Sequence, residues 1–153
     1  MSLRPDPLPQ GAPYAIGELF FAALQGEPAF AGAKVINNPE RRVDLNDGGR
    51  IVFLEDITDA PADLSAEFKR IYTFNLGVIN RTAAARRSAH ADYRAAKRAV
   101  RAAMPRLKGT VELNGLREGV VAYRLENIDI GGALVLGAFT LAYRDPGHPL
   151  GPF

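Results

Sequence analysis

The apolar positions nearest the N-terminus recur at helical spacing and predict a first helix over residues 13–25. Pro13 suits the first turn of this helix, because the amide hydrogen that proline lacks has no helical partner there. Gly26 and Pro28 then end the segment. The side chains predicted to face the core are Ile16, Leu19, Phe20, Ala23 and Leu24.

The residues that follow alternate between apolar and polar over short runs and predict strands at residues 34–37, 41–45 and 51–54. The sequence Asn-Asp-Gly-Gly at 46–49 is typical of a tight hairpin turn, since glycine tolerates the positive φ angles that such turns require. Residues 58–65 are rich in Asp, Ala and Pro, and they are predicted to form an exposed acidic loop.

The clearest alternation covers residues 68–79 and predicts a strand with two distinct faces. One face carries Tyr72, Phe74, Leu76 and Val78, and the other carries Ile71, Thr73, Asn75 and Ile79.

An Ala-rich segment over residues 83–104 predicts a long second helix, which Pro105 ends. The basic side chains Arg94, Lys97 and Arg98 fall off its apolar stripe, as does Arg101, and should face water or a partner. The stripe itself is predicted to contain Ala89, Tyr93, Ala96, Val100, Ala103 and Met104.

Two further strands are predicted over residues 119–127 and 133–144, joined by a turn at 129–132. The last strand is partly apolar on both faces, so we expect helices to cover one face and a neighbouring subunit to cover the other. The order of elements predicts an α+β fold. Two main helices would pack on one face of a mainly antiparallel sheet of about four to six strands.

The length of 153 residues suits a single domain. We divide it into a mobile proline-rich arm over 1–12, an α+β core over 13–145 and an irregular tail over 146–153.

The chain has no cysteine, which excludes disulfides and thiolate chemistry. No apolar run reaches the roughly 18 residues that a membrane helix needs, and the N-terminus lacks the apolar segment of a signal peptide. We therefore predict a cytosolic protein with no membrane partner.

The charges change this picture, because they are strongly segregated along the chain. The formal net charge is only +2, yet basic residues crowd positions 81–108, where Asp92 is the single acid. The remainder of the sequence is acidic. A cationic helix on an anionic body implies an anionic partner.

Three interpretations of the basic helix remain open. Its charges can form a solvated face that pairs with acids elsewhere in the chain. They can form an interface with an acidic patch on another subunit, where complementarity sets register and speeds encounter. They can also contact DNA phosphates without reading bases, since no recognition helix with its supporting turn is present. The candidate interface or DNA-facing residues are Arg86, Arg87, Arg94, Lys97, Arg98 and Arg101.

No pattern in the sequence predicts catalysis, a metal or a cofactor. His90 and His148 are the only histidines, and neither has ligands at suitable spacing for a zinc or iron site. Ser65 and Ser88 lack a nearby histidine and acid that would activate a nucleophile. The paired glycines lack the phosphate-binding loop pattern with its lysine. We predict that the protein is not an enzyme and binds no cofactor.

Exposed loops on the rigid sheet are the other candidate contact elements. They comprise the hairpin tip at residues 46–50 and the acidic loop at residues 58–66. The candidate loop contacts are Asp47, Arg50, Asp59 and Asp63.

Three segments together resemble the tail-terminator and tail-completion proteins of long-tailed bacteriophages, the lambda-type minor tail protein U family. The strand FKRIYTFNLGVINRT runs directly into the charged helix AAARRSAHADYRAAKRAV. The closing hairpin ENIDIGGALVLGAFTLAYR has an acidic turn with glycines, and the helix IGELFFAALQ precedes the first strands. The resemblance covers residues 13–145 through the order, length and texture of the elements.

This resemblance implies a phage or prophage protein that assembles into a ring, commonly hexameric, on the finished tail tube. Such a ring ends tail polymerisation and presents the surface on which the filled head docks, while DNA passes through its lumen. The implied partners are other copies of the chain, the tail tube protein and the head–tail connector protein, with non-specific DNA contact. The implied location is the host cytoplasm during assembly and then the virion tail. The alternative is a basic nucleic-acid-binding or adaptor module that uses the Arg/Lys-rich helix.

Overall fold

The computed structural model describes residues 8–39, 49–63, 69–107, 112–125 and 132–145. These residues form two α-helices, two short 3-10 helices and five strands. The helices are α1 (Ala12–Gly26) and α2 (Ala85–Ala103), and the 3-10 helices cover Pro28–Phe30 and Met104–Leu107. The strands are β1 (Lys34–Asn37), β2 (Arg50–Pro61), β3 (Lys69–Asn80), β4 (Glu112–Leu125) and β5 (Ala133–Arg144).

The strands form one sheet in the order β1-β2-β3-β5-β4. Only β1 and β2 pair in parallel, and the other three pairs are antiparallel. The apolar residues of α1 and α2 share one core with a single face of the sheet. The predicted α+β fold, with helices on one face of a mainly antiparallel sheet, is therefore confirmed.

The centre of the core is aromatic. The Phe74 ring, from the middle of β3, is stacked on Phe139 of β5 at a centroid distance of 5.5 Å. The same ring is tilted against Phe20 of α1 at 5.5 Å and stacked on its neighbour Tyr72 at 5.3 Å. Phe20, Phe74 and Phe139 are all fully buried. Three elements distant in sequence thus meet at the Phe74 ring, which lies on the face of β3 that the alternation predicted for it.

Two glycines let aromatic rings lie directly on the sheet. A Cβ atom at Gly137 of β5 would stand 1.9 Å from Oη of Tyr93, so the α2 tyrosine occupies the place of a side chain. On the opposite face, a Cβ at Gly77 of β3 would stand 2.2 Å from the Phe53 ring. These positions exclude any larger residue unless the ring moves.

The face of the sheet opposite the helices carries a smaller apolar cluster. Its buried members are Ile51, Phe53 and Ile79, against which Leu134 and Leu136 of β5 pack. Ile71 and Ile79 therefore lie on the face that the alternation predicted for them, although Ile71 is exposed. Coverage of this face by a neighbouring subunit remains a prediction.

Two strands are longer than predicted. Residues 58–61 belong to β2 and pair with β3 as far as Pro61, so the prediction of a loop beginning at residue 58 was wrong. All the side chains from residue 55 to 61 are exposed, which removes the alternation that would have revealed a strand. β4 begins at Glu112 rather than near residue 119, because a bulge at Gly115 (φ 78°) carries the pairing across an apparent break.

Several predictions fall on residues that the structure does not describe. They are the candidate strand at 41–45, most of the hairpin turn at 46–49, and the turn at 129–132 apart from its last residue. The first residues of the arm, the end of the 58–65 segment and the tail over 146–153 also lie outside the described residues.

Candidate interaction surface

The basic helix α2 is held to the sheet by an alanine-rich face. Its buried residues include Ala89, Tyr93, Ala96 and Val100, all on the predicted stripe. The helix begins without a side-chain cap, after Ala84 in a left-handed conformation (φ 60°), and no acid stands in its first turn. Packing rather than favourable capping therefore positions the helix.

Asp92, the single acid of this segment, points into the protein. It is 8% exposed, and its carboxylate binds the Arg50 guanidinium in a bidentate pair. Arg50 Nη2 donates to Oδ1 at 2.8 Å and Nε donates to Oδ2 at 3.1 Å. Asn80 Nδ2 also donates to Oδ2 at 3.1 Å. The carboxylate thus joins α2 to the start of β2 and the end of β3.

Further hydrogen bonds extend this network to the neighbouring turns. Arg50 Nη2 also donates to the carbonyl of Ala29, at 2.7 Å. Asn80 Oδ1 accepts from the backbone nitrogen of Thr82 at 3.0 Å and from its hydroxyl at 2.7 Å. The hydrogen bond that Arg50 donates to Asp92, together with the attraction of the Asp92 charge, raises the pKa of Arg50 despite partial burial. We call Arg50, Asn80 and Asp92 the anchor network.

The predicted interface arginines lie on the outer surface of α2. None of them forms a salt bridge with another residue in the described ranges. Their exposure leaves a cationic face on α2, whose Arg101 adds to the positive charge that lowers the pKa of Glu118. We call these exposed residues the basic face: Arg86, Arg87, Arg94, Arg98 and Arg101.

Lys97 differs from the other predicted interface residues because it is half-buried and paired. Its ammonium lies 2.9 Å from Glu118 Oε2 on β4 and 5.0 Å from the centre of the Tyr93 ring. Tyr93 Oη donates to the same carboxylate oxygen at 2.8 Å. This cluster fastens α2 to β4, and the sequence reasoning missed Glu118 because no local pattern in β4 indicates which residue of α2 it meets.

Burial and the hydrogen bonds in this cluster shift two pKa values. Burial, reinforced by the hydrogen bond to Glu118, raises the pKa of Tyr93 well above its ordinary value. For Glu118, partial burial acts to raise the pKa, but hydrogen bonds from Lys97 and Tyr93 outweigh it. The net result is a Glu118 pKa below the usual value. The carboxylate is therefore held in its charged form in the folded protein.

Glu118 should contribute to stability in a pH-dependent way. Because its pKa is lower in the folded protein than in the unfolded chain, the contribution is present above the ordinary pKa of 4.5. It is lost as the pH falls through the lowered folded value. We expect Glu118→Gln to reduce the free energy of unfolding by about 0.5 kcal/mol at pH 7, since the pair is partly solvated.

Denaturant unfolding from pH 7 down to acidic pH would measure this effect. The difference between wild type and Glu118→Gln should shrink as the pH falls. Glu55→Gln is the matched control, since Glu55 is exposed on β2. A difference that stays constant with pH would contradict the assigned role of the Glu118 carboxylate.

A cleft opens where the first turns of α2 meet the end of β4 and the start of β5. Its volume is about 430 Å³. His90 of α2 is stacked on Tyr123 of β4 at a centroid distance of 4.9 Å, and Arg86 and Arg124 stand beside this pair. The remaining lining residues are Ala133, Leu134 and Val135. The cleft thus combines an apolar lining with cationic groups. It includes Tyr123 and Arg124, which the sequence reasoning did not single out.

The four residues that were predicted to make contacts from loops lie in different parts of the fold. Asp47 lies outside the described residues. Arg50 is the first residue of β2 and belongs to the anchor network, so its expected place at a loop tip was wrong. Asp59 lies within β2, where it accepts from Arg70 Nε at 2.9 Å and from the Tyr143 hydroxyl at 2.8 Å. Asp63 is exposed just beyond β2.

Acidic groups gather at the end of the sheet remote from β4. Asp56 of β2 accepts a short hydrogen bond from the Tyr72 hydroxyl, and its backbone nitrogen donates to Asn38 Oδ1 at 2.6 Å. Glu18 of α1 accepts from Asn37 Nδ2 at 2.9 Å. Glu18 and Asp56 line a shallow polar pocket of about 310 Å³. Glu18 and Asp56 therefore lie on the β1–β2 side of the sheet, whereas the exposed Arg117 and Arg124 lie on β4 at its other end.

The described residues contain no group of three or more His, Cys, Asp or Glu side chains that could hold a metal ion. Within the same ranges, no helix is both long enough and apolar enough to cross a bilayer.

Comparisons with known proteins identify no family. No protein-family model matches the sequence, and no curated protein matches it. Among solved structures, a similar chain occurs in the "Virion of native gene transfer agent (GTA) particle". It is 16% identical, the match covers 89% of this chain and 94% of that chain, and the TM-score is 0.44. The surfaces described above therefore provide the grounds for a functional proposal.

Proposed function

We propose that this protein is a structural assembly subunit of a phage or phage-like particle, of the tail-terminator type. In this role copies of the chain form a ring on the completed tail tube, end its polymerisation and present a surface for head docking. The observation that carries the proposal is the basic face: exposed arginines that form no salt bridge within the described residues, on a helix held to the sheet.

A fixed helix suits this role because an assembly surface must keep its shape. The anchor network ties α2 to β2 and β3, while the contact of Lys97 with Glu118 ties it to β4. Both attachments use the inward side of the helix and leave the arginines pointing outward. Preorganised charges lose little freedom on binding and can set the register of a partner.

Exposed apolar side chains beside the basic residues favour a protein partner. Val120 is 81% exposed on β4, and Tyr123 is 60% exposed at the rim of the cationic cleft. Protein interfaces combine apolar and aromatic groups with a charged rim. Loose contact with DNA phosphates would need only the arginines. Other copies of the chain, the tail tube protein and the head–tail connector protein are the partners we assign.

The basic face can be tested by reversing its charge without disturbing the attachments of the helix. We expect Arg87→Glu, Arg94→Glu and Arg98→Glu together to leave the circular dichroism spectrum unchanged and to abolish ring formation. Like charges would then face the acidic partner, which should weaken association more than about 100-fold. Lys97 stays unchanged because it binds Glu118. Arg101 is also left unchanged because its positive charge acts on Glu118.

Sedimentation velocity across protein concentration, at low and high salt, would measure the assembly. A tail-completion assay with the purified tail tube would measure it on the particle. The control is Lys69→Glu, a charge reversal at an exposed position on β3, away from α2. Unchanged tail completion by the basic-face variant would refute the proposal. Steeply salt-dependent binding to DNA by a protein that never assembles would favour the nucleic-acid-binding alternative.

A further inference from the structure

The described sheet has two open edges. β1 pairs with β2 only as far as Leu54, so residues 55–61 of β2 have no strand on their outer side within the described chain. β4 is the last strand at the opposite end of the sheet and pairs only with β5. Open edges offer unpaired backbone groups and accessible side chains to another chain.

The two edges carry opposite charge. The open part of β2 presents Glu55 and Asp56, both exposed, while Asp59 beside them is paired with Arg70. On β4, Arg117 and Arg124 are exposed, and the acid Glu118 is already paired with Lys97 of α2. An acidic edge and a basic edge thus stand at opposite ends of one rigid sheet.

Each edge also carries an exposed apolar residue among its charges. Ile57 is 45% exposed on β2, and Val120 is 81% exposed on β4. Both positions coincide with bulges: the pairing of β2 shifts between Asp56 and Thr58, and that of β4 shifts between Glu118 and Val121. Bulges interrupt a backbone ladder and turn side chains outward. Contact through side chains is therefore favoured over one long continuous sheet.

We propose that the acidic β2 edge of one copy docks on the basic β4 edge of the next copy. The inference rests on the proposed function, because it takes a second copy of the chain as the occupant of each edge. Charge complementarity selects this occupant: a symmetric contact would place the two acidic edges or the two basic edges together. A contact between different surfaces is heterologous and propagates head to tail, giving a ring when the rotation closes.

A mixing experiment with two charge-reversed variants tests this docking. Variant one carries Arg117→Glu with Arg124→Glu, which makes both of its edges acidic. Variant two carries Glu55→Arg with Thr58→Arg, which shifts its β2 edge towards positive charge and leaves its β4 edge basic. Each variant alone should associate at least about tenfold more weakly than wild type. An equimolar mixture should recover association, since the acidic β2 edge of variant one then meets the basic β4 edge of variant two.

Sedimentation velocity on each variant and on the mixture would give the result, with circular dichroism confirming that both are folded. Lys69→Glu on the inner strand β3 is the control and should associate like wild type. Mixed complexes that form while each variant alone does not support the head-to-tail docking. A mixture no more associated than its components overturns it, whether or not wild type assembles.

The two proposals can fail separately. If wild type forms rings that the basic-face variant loses but both edge variants keep, the edge docking is wrong and the assembly function stands. If the mixed edge variants associate but wild type neither forms rings nor completes tails, the edges dock while the terminator function is wrong.

Discussion

Asp92→Ala should lower the free energy of unfolding by about 3 kcal/mol. The carboxylate accepts two hydrogen bonds from Arg50 and one from Asn80, and it is almost completely buried. Removing it leaves a guanidinium and an amide without their shared acceptor in a site with little access to water. Guanidinium chloride unfolding at neutral pH would measure the change.

Two further variants distinguish the effect of losing the ion pair from the effect of losing side-chain packing. Asp92→Asn retains an acceptor oxygen without the charge and should lose less stability than Asp92→Ala. Arg50→Met combined with Asp92→Leu removes both charges together and should recover much of the loss, because no uncompensated charge remains. A loss below about 1 kcal/mol for Asp92→Ala would show that the anchor network is not needed to hold α2.

Phe74→Ala should be at least as damaging, with a loss of about 4 kcal/mol. Its ring contacts Phe20 of α1, Tyr72 of β3 and Phe139 of β5, so truncation opens a cavity between elements that are rigidly paired. The sheet cannot close such a cavity, because hydrogen bonding to β2 and β5 fixes β3 on both sides.

Urea unfolding would measure this loss, and Phe74→Leu is the matched control. Leucine keeps most of the buried volume and should cost roughly 1 to 1.5 kcal/mol. If Phe74→Ala were no worse than Phe74→Leu, the aromatic cluster would not be the centre of the core.

The sequence predicted those elements of the fold that have one buried face and one more exposed face. In β3 the buried residues Tyr72 and Phe74 alternate with the less buried Ile71, Thr73 and Asn75, and period-two patterning follows directly from that difference. In α2 the contrast between an alanine face and an arginine face is equally strong. Both elements lie close to their predicted bounds.

Elements without such a contrast were missed or shortened. Residues 55–61 of β2 are exposed on both sides, so only their pairing with β3 makes them a strand. Pairing is a property of two segments that are distant in sequence. The bulge at Gly115 likewise interrupts the period of β4 and conceals its first residues.

The candidate surface was predictable in part for the same reason. A run of arginines on an otherwise apolar helix indicates an outward cationic face, and the five arginines of that face are exposed. The sequence also marked Asp92 as the single acid, but its partner Arg50 lies 42 residues away. Which of the charges are neutralised within the chain depends on sheet register, as the contact between Lys97 and Glu118 shows.

The spacing of the arginines has a consequence for the subunit when it is alone. Arg94 and Arg98 stand one helical turn apart, as do Lys97 and Arg101, and like charges at this spacing destabilise a helix by about 0.2–0.5 kcal/mol per pair. Dissolved salt screens that repulsion, so it stabilises the free subunit while weakening attraction to an acidic partner. Repulsion within the basic face and the proposed attraction to an acidic partner therefore both weaken as the ionic strength rises. An acidic surface bound to α2 would reduce the repulsion between its basic side chains, as dissolved salt does for the free subunit.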